Sequence, residues 1–212
     1  MTKKGSLADA VLLTNEFKRK FTLWELYRSF VFAPRAISKL RGNSKTHLVD
    51  PNFIKRLQLA VTQVNGCAAC SYQHTQMALE QGMSNEEINS FLSGGSDFVV
   101  VEEAKAILFA QHFADSRGLP QKSTYNSIVE EYGREKAEII LAACQMMIAG
   151  NMYGIPFSAA LSRLKGKKYK GSTVFYEQGM LLAGFLLLPL AILHGYLRAL
   201  VGLPNVRFGS TP

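Results

Sequence analysis

The sequence predicts an all-α fold, a multi-helix bundle with a Cys-x-x-Cys pair at the start of a core helix, and three observations carry that expectation. Apolar residues recur at three- and four-residue steps through most of the chain, the period of a helix packed on one face. Helix start and stop signals punctuate it: Asp50-Pro51 and Ser84-x-x-Glu87 open segments, and Gly82 and Gly133 close them. No stretch alternates apolar and polar residues convincingly enough to make a strand ladder.

In order along the chain, Leu7–Lys20 and Leu23–Leu40 show the amphipathic spacing, and Ala33-Pro34 is expected to kink or restart the second. The next helix opens at Asp50-Pro51 and runs to about Val64, with Asn65-Gly66 as a break because both residues tolerate left-handed backbone angles. A helix then runs from Cys67 to about Gln81. Ser84 and Glu87 form a capping box for a short helix to Leu92, and Gly94–Asp97 is a loop. Val99–Asp115 is helical and ends at Gly118 and Pro120. Ser123 is expected to cap Thr124–Tyr132, Arg134–Gly150 is long and apolar, and a further helix follows Pro156. No period of 20–50 residues repeats, so a solenoid is not expected.

The segment Gln178–Leu197 contains no Asp, Glu, Lys or Arg. About 20 apolar residues suffice to cross a bilayer, and the lysines before it, Lys165 to Lys170, would set its start on the cytoplasmic side. Pro189, His194 and the glycines at 179, 184 and 195 weaken a straight helix, and we read the run as a helix buried inside an oligomer. Membrane contact through residues 178–197 is the competing reading.

With 212 residues, 48% hydrophobic and 19% charged, the chain has ample material for a packed core and lacks the composition of a disordered one. The net charge of +8 favours anionic partners or a membrane surface. It concentrates in residues 1–41, where Lys3 and Lys4 begin the series, and in RLKGKKYK at 163–170. A single-strand nucleic-acid binder would interleave its cations with aromatics, whereas the second run holds only Tyr169; we read it as a solvated loop and expect no nucleic-acid partner. Asp9, Asn15 and Glu16 break up what would have to be a signal-peptide core, so the expected location is the cytoplasm, where a close cysteine pair is catalytic or metal-binding more often than structural.

The chemistry concentrates in NGCAACSYQH, residues 65–74. On a helix, steps of three and four residues share a face, so Cys67, Cys70 and His74 line one stripe. Both cysteines fall in the first turn after a break, where unpaired N–H groups and the helix dipole favour negative charge and lower a thiol pKa. His74, one turn deeper, is placed to accept or return a proton. Dithiol–disulfide redox is the chemistry this suggests, and dipole exposure alone makes Cys67 the more acidic thiol. A metal site has three of these residues as ligands but no second Cys-x-x-Cys to complete zinc's four, and plain packing leaves the coincidence of helix start and histidine unexplained. Cys144 sits among apolar residues and reads as an inert buried thiol; His112 reads as a core or interface residue, His194 as a hydrogen-bond partner for a neighbouring helix, and Met77, Met83, Met146, Met147 and Met152 as core filler.

The segment LQLAVTQVNGCAACSYQHTQMALEQGMSNEEI, residues 57–88, resembles the alkylhydroperoxidase D-like group of the carboxymuconolactone decarboxylase superfamily. Weaker likeness extends over Ser29–Leu40, Glu102–Asp115 and 133–161, so the family-like core spans 23–162, with 1–22 as a helical extension and 163–212 as a basic loop and apolar helix. The resemblance implies an all-α subunit assembling into trimers or hexamers and acting as a thiol-dependent peroxidase on hydroperoxides, with an external dithiol as reductant and neither metal nor cofactor. It implies Cys70 as the peroxidatic thiol, Cys67 as the resolving one and His74 as part of the proton relay. One position departs: the family's relay glutamate lies twelve residues before the first cysteine, where this chain has Lys55. A lysine cannot accept a proton as a carboxylate does, so turnover is expected to be weak unless another acid substitutes. The alternative is a non-enzymatic redox-sensing or membrane-associated interaction protein.

Overall fold

Among the residues described by the computed structural model, 7–13 and 16–209, regular structure consists of eight helices and one isolated bridge between Glu16 and Lys170. The helices are α1 (Leu7–Leu13), α2 (Leu23–Thr46), α3 (Pro51–Asn65), α4 (Ala68–Glu80), α5 (Asn85–Ser93), α6 (Val101–Asp115), α7 (Lys122–Leu164) and α8 (Val174–Leu200). The all-α expectation holds. α7 is the axis: α2, α3, α4, α6 and α8 all pack against it, around one core that includes Leu26, Leu57, Phe109, Phe113, Ile140 and Met152. Lys3, Lys4 and Asn15 lie outside the described residues.

The helix expected over Leu7–Lys20 is shorter, ending at Leu13. The cations beyond it find tertiary carbonyls instead of a helical turn. Arg19 donates to the carbonyls of Ala114 and Asp115 at the C-terminal end of α6, and Lys18 donates to that of Gln63. α2 opens with a full capping box, Thr22 with Glu25, and neither ends nor restarts at Pro34. The proline removes one i→i−4 bond, but its neighbours Phe30, Val31, Phe32, Ala33 and Ala36 are buried, so packing holds the helix through it.

α3 starts as expected, Asp50 accepting from the N–H groups of Asn52 and Phe53 ahead of Pro51, and closes on Gly66 at φ 70°. At α5 only half of the expected capping box forms. Ser84 accepts from the Glu87 N–H, but the Glu87 carboxylate turns away to Arg56 on α3, 3.0 Å distant. Arg56 also grips Glu103 of α6 through two bonds of 2.6 Å, and one largely buried guanidinium thereby ties three helices together.

α7 departs further. Gln121, not Ser123, is its cap residue, and Ser123 lies within the first turn. Gly133 takes φ 75°, ψ 158°, the break expected there, but the chain stays helical through Pro156 to Leu164, with Ile155, Pro156, Ser158 and Ala159 buried. α8 is one helix despite Pro189. Its buried residues, Glu177, Met180, Gly184, Ala191 and Gly195, face α2 and α7, and Glu177 is fully buried on Arg163 at 2.7 Å. The rest of α8 is exposed or half-buried within the subunit.

Candidate active site

The site grows from the turn between α3 and α4. Gly66 adopts a left-handed conformation at a place where a side chain would strike Lys18, and the chain reverses there to bring Cys67 to the N-cap of α4. Two of the N–H groups that a helix start leaves unpaired are met locally. Cys67 Sγ accepts the N–H of Cys70 at 3.2 Å, and Ser158 Oγ of α7 accepts that of Ala69 at 3.1 Å while donating to the Gly154 carbonyl at 2.7 Å. Cys67 and Cys70 are joined as a disulfide, with their Cα atoms 5.2 Å apart. A methyl group placed on Gly154 would stand 2.7 Å from each sulfur, so α7 backs the pair with bare backbone.

The two sulfurs differ in setting. Cys67 is 0% exposed; Cys70 is 8% exposed and lines a cleft of about 1100 Å³. Cys70 Sγ lies 3.6 Å from the Gly150 carbonyl oxygen, an acceptor for its S–H when reduced. Hydrogen bonding thus favours negative charge on Cys67, as the helix-start reasoning expects, while access favours Cys70. His74 lines the same cleft, as do Met77, Met147, Tyr153 and Phe157. Cys70 and His74 thus line one cleft, and Cys67 is joined to it only through the disulfide.

Lys55 stands behind His74, its Nζ 3.4 Å from His74 Nδ1 and 3.1 Å from Gln58 Oε1. It is 3% exposed, and among the described residues no carboxylate pairs with it. Burial holds its ammonium pKa below the ordinary lysine range. His74 is pushed down to about 4, by burial first and the Lys55 charge second, so it is neutral near pH 7. With Lys55 donating to Nδ1, the ring carries its proton on Nε2. With Lys55 neutral, Nδ1–H can point to the amine and Nε2 becomes an acceptor.

Sequence reasoning missed what α7 contributes. Gly150, Gly154 and Ser158 recur every four residues, which in retrospect marks one small-residue face against which α4 and the sulfurs fit. Asn151 was also missed; it joins Asn65 at 3.0 Å and Thr62 at 3.3 Å, pinning the end of α3 to α7. Met77, Met146 and Met147 are a correction, since all three line the cleft rather than only filling core. Cys144 is fully buried among apolar groups that push its thiol pKa well up. His112 Nε2 accepts the Gln121 N–H at 3.1 Å, and His194 Nδ1 meets the Tyr27 hydroxyl of α2 at 2.9 Å; both are structural. Among the described residues no group of three or more His, Cys, Asp or Glu is placed to hold a metal ion.

Residues 33–111, from the middle of α2 into α6, match the family model described as Carboxymuconolactone decarboxylase family. No curated protein and no solved structure matches the chain. The matched segment encloses Lys55, Cys67, Cys70 and His74, so the similarity to the carboxymuconolactone decarboxylase family takes in the paired cysteines and the residues around them.

Proposed function

We propose that the protein is a thiol-dependent peroxidase of low turnover. The observation that carries this reading is a Cys-x-x-Cys disulfide at the N-cap of a core helix, one sulfur and one neutral histidine facing a common apolar cleft. In the cycle, the reduced Cys70 thiolate attacks the terminal oxygen of a hydroperoxide, the O–O bond breaks, and an alkoxide leaves to be protonated as alcohol. Cys70 is then a sulfenic acid. The Cys67 thiolate attacks its sulfur and displaces hydroxide, which with a proton leaves as water, and the disulfide forms. An external dithiol returns both cysteines to thiols and is itself oxidised to a disulfide.

His74 Nε2–H serves as the hydrogen-bond donor to the oxygen that gains charge as the O–O bond breaks. Lys55 is the positioning residue that holds His74 in that tautomer. A carboxylate at position 55 would instead pull His74 toward a base. With a cation in place of a carboxylate, His74 is set to hydrogen-bond the leaving oxygen and is not drawn toward the base role for the Cys70 thiol, which supports the reading of low turnover.

Thiol titration of the reduced protein before and after one equivalent of peroxide tests the reading. The expected result is loss of two thiols per chain while Cys144 still reacts after unfolding, together with dithiol-driven peroxide consumption that Cys70→Ser abolishes. A wild type that forms the disulfide with peroxide yet never turns over with any dithiol would leave the redox-sensing reading in its place.

A further inference from the structure

The outer side of α8 carries Leu182, Phe185, Leu186, Leu193, Leu197 and Leu200, each more than half exposed, at three- and four-residue steps along one stripe. No charge interrupts it from Gln178 to Leu197, and only 22% of the helix's most apolar window is buried, at a mean hydropathy of 2.0. A stripe of this size exceeds what single scattered surface leucines explain.

We propose that this face docks α8 in the plane of an anionic bilayer surface, as a one-leaflet anchor that does not span it. The packing of α8 decides against spanning. α2 lies alongside it, close enough at both ends that Gly184 abuts Leu26 and Gly195 abuts the Val31 carbonyl. A spanning α8 would carry Glu25, Arg28, Arg35 and Lys39 of α2 into hydrocarbon. Lying flat, α8 presents its apolar stripe to acyl chains and leaves α2 in water.

Charge complementarity selects the lipid. Lys165, Lys167, Lys168 and Lys170 precede α8, with Lys165 and Lys168 exposed, and the chain carries +8 overall, while Arg163 is held by Glu177 and Lys170 lies 3.6 Å from Glu16. Such a cluster beside an apolar face is drawn to anionic headgroups. Amphipathic aromatics fit the headgroup level: Trp24, 60% exposed and stacked on Tyr27, lies next to α8 through the Tyr27–His194 bond, and Tyr196 is 57% exposed. The same α8 face of a second copy would offer apolar contact but no carboxylate to meet the lysines. The only carboxylate on α8, Glu177, is fully buried on Arg163. This inference does not depend on the redox reading.

Co-sedimentation of the full-length protein with vesicles tests it. Pelleting is expected with equal parts phosphatidylcholine and phosphatidylglycerol, with a blue shift of the emission from Trp24, the single tryptophan. Phe185→Gln with Leu193→Gln should abolish pelleting, and Lys165→Gln with Lys168→Gln should weaken it at least about tenfold at low salt. Both pairs are exposed, and unchanged circular dichroism would show that the variants fold. Equal binding to pure phosphatidylcholine would overturn the charge selection. Resistance of the native protein to alkaline extraction from cell membranes would overturn the in-plane placement. Absence of vesicle binding, with sedimentation equilibrium showing a dimer that the Phe185/Leu193 pair disrupts, would assign the face to a second copy and refute the proposal.

Discussion

Replacing Lys55 with Met removes the charge beside His74 while keeping a long apolar stem, and the structure sets how far His74 should respond. Two unit charges 3.4 Å apart interact by roughly 1 kcal/mol in a water-like dielectric, and by roughly 5 kcal/mol at an effective dielectric of about 20. The second figure is too large. The whole displacement of His74 from 6.5 to about 4 corresponds to about 3.4 kcal/mol, and burial supplies the greater part. The share left to Lys55 is about 1–1.5 kcal/mol, so in Lys55→Met the His74 pKa should rise by roughly one pH unit, to about 5, and no further. A titration of the His74 ring protons by NMR in the oxidised protein reads this directly.

The sign for stability follows from the folded-state pKa lying below the unfolded one. The unfolded chain binds the extra proton between pH 6.5 and 4, so the contribution of His74 is complete above that window and lost as pH falls through it. Between pH 7 and pH 4.5 the wild type should lose about 2.5 kcal/mol through this group and Lys55→Met about 2 kcal/mol, each measured by urea unfolding against a His74→Gln background. A His74 that still titrates near 4 in Lys55→Met would refute the coupling. One that returns to 6.5 would refute the primacy of burial.

Two packing predictions stand beside this one. Gly154→Ala thrusts a methyl group against both sulfurs and should cost about 1–3 kcal/mol, seen as a lower melting temperature of the oxidised protein; an unchanged melt would mean that α7 gives way behind the pair. Gly195→Ala collides with the Val31 carbonyl at the α2–α8 contact and should lower Tm by roughly 3–10 °C. Gly179→Ala on the same helix meets nothing within 4 Å and should raise stability by about 0.5–1 kcal/mol.

What was legible in the sequence was local chemistry. Asp50-Pro51, Gly66 and the Cys67 start of α4 are fixed by caps and left-handed turns, whose partners lie within a few residues, and all three stand where the pattern put them. The restart weighed at Pro34 and the new helix expected after Pro156 do not occur, because a proline ends a helix only where packing does not oppose it, and both lie in buried stretches of α2 and α7. The Ser84–Glu87 box failed in one half for the same kind of reason: Arg56, distant in sequence, offers Glu87 a stronger partner than a backbone N–H. Of the candidate site, Cys67, Cys70 and His74 were visible. Its rear wall was not, since nothing at residues 150–158 marks chemistry until the fold sets them against α4.

The bare backbone of Gly154 has a stereochemical consequence. With a helix pressed against the far side of both sulfurs and Cys67 sealed, a nucleophile can approach the S–S bond from one hemisphere only, end-on at Cys70. Thiol exchange proceeds along the axis of the bond it cleaves, so reduction would always form the mixed disulfide at Cys70 and expel Cys67 first, onto the N–H that waits for it. Each reduction of the disulfide would then run in a fixed order, imposed by the missing side chain of one residue.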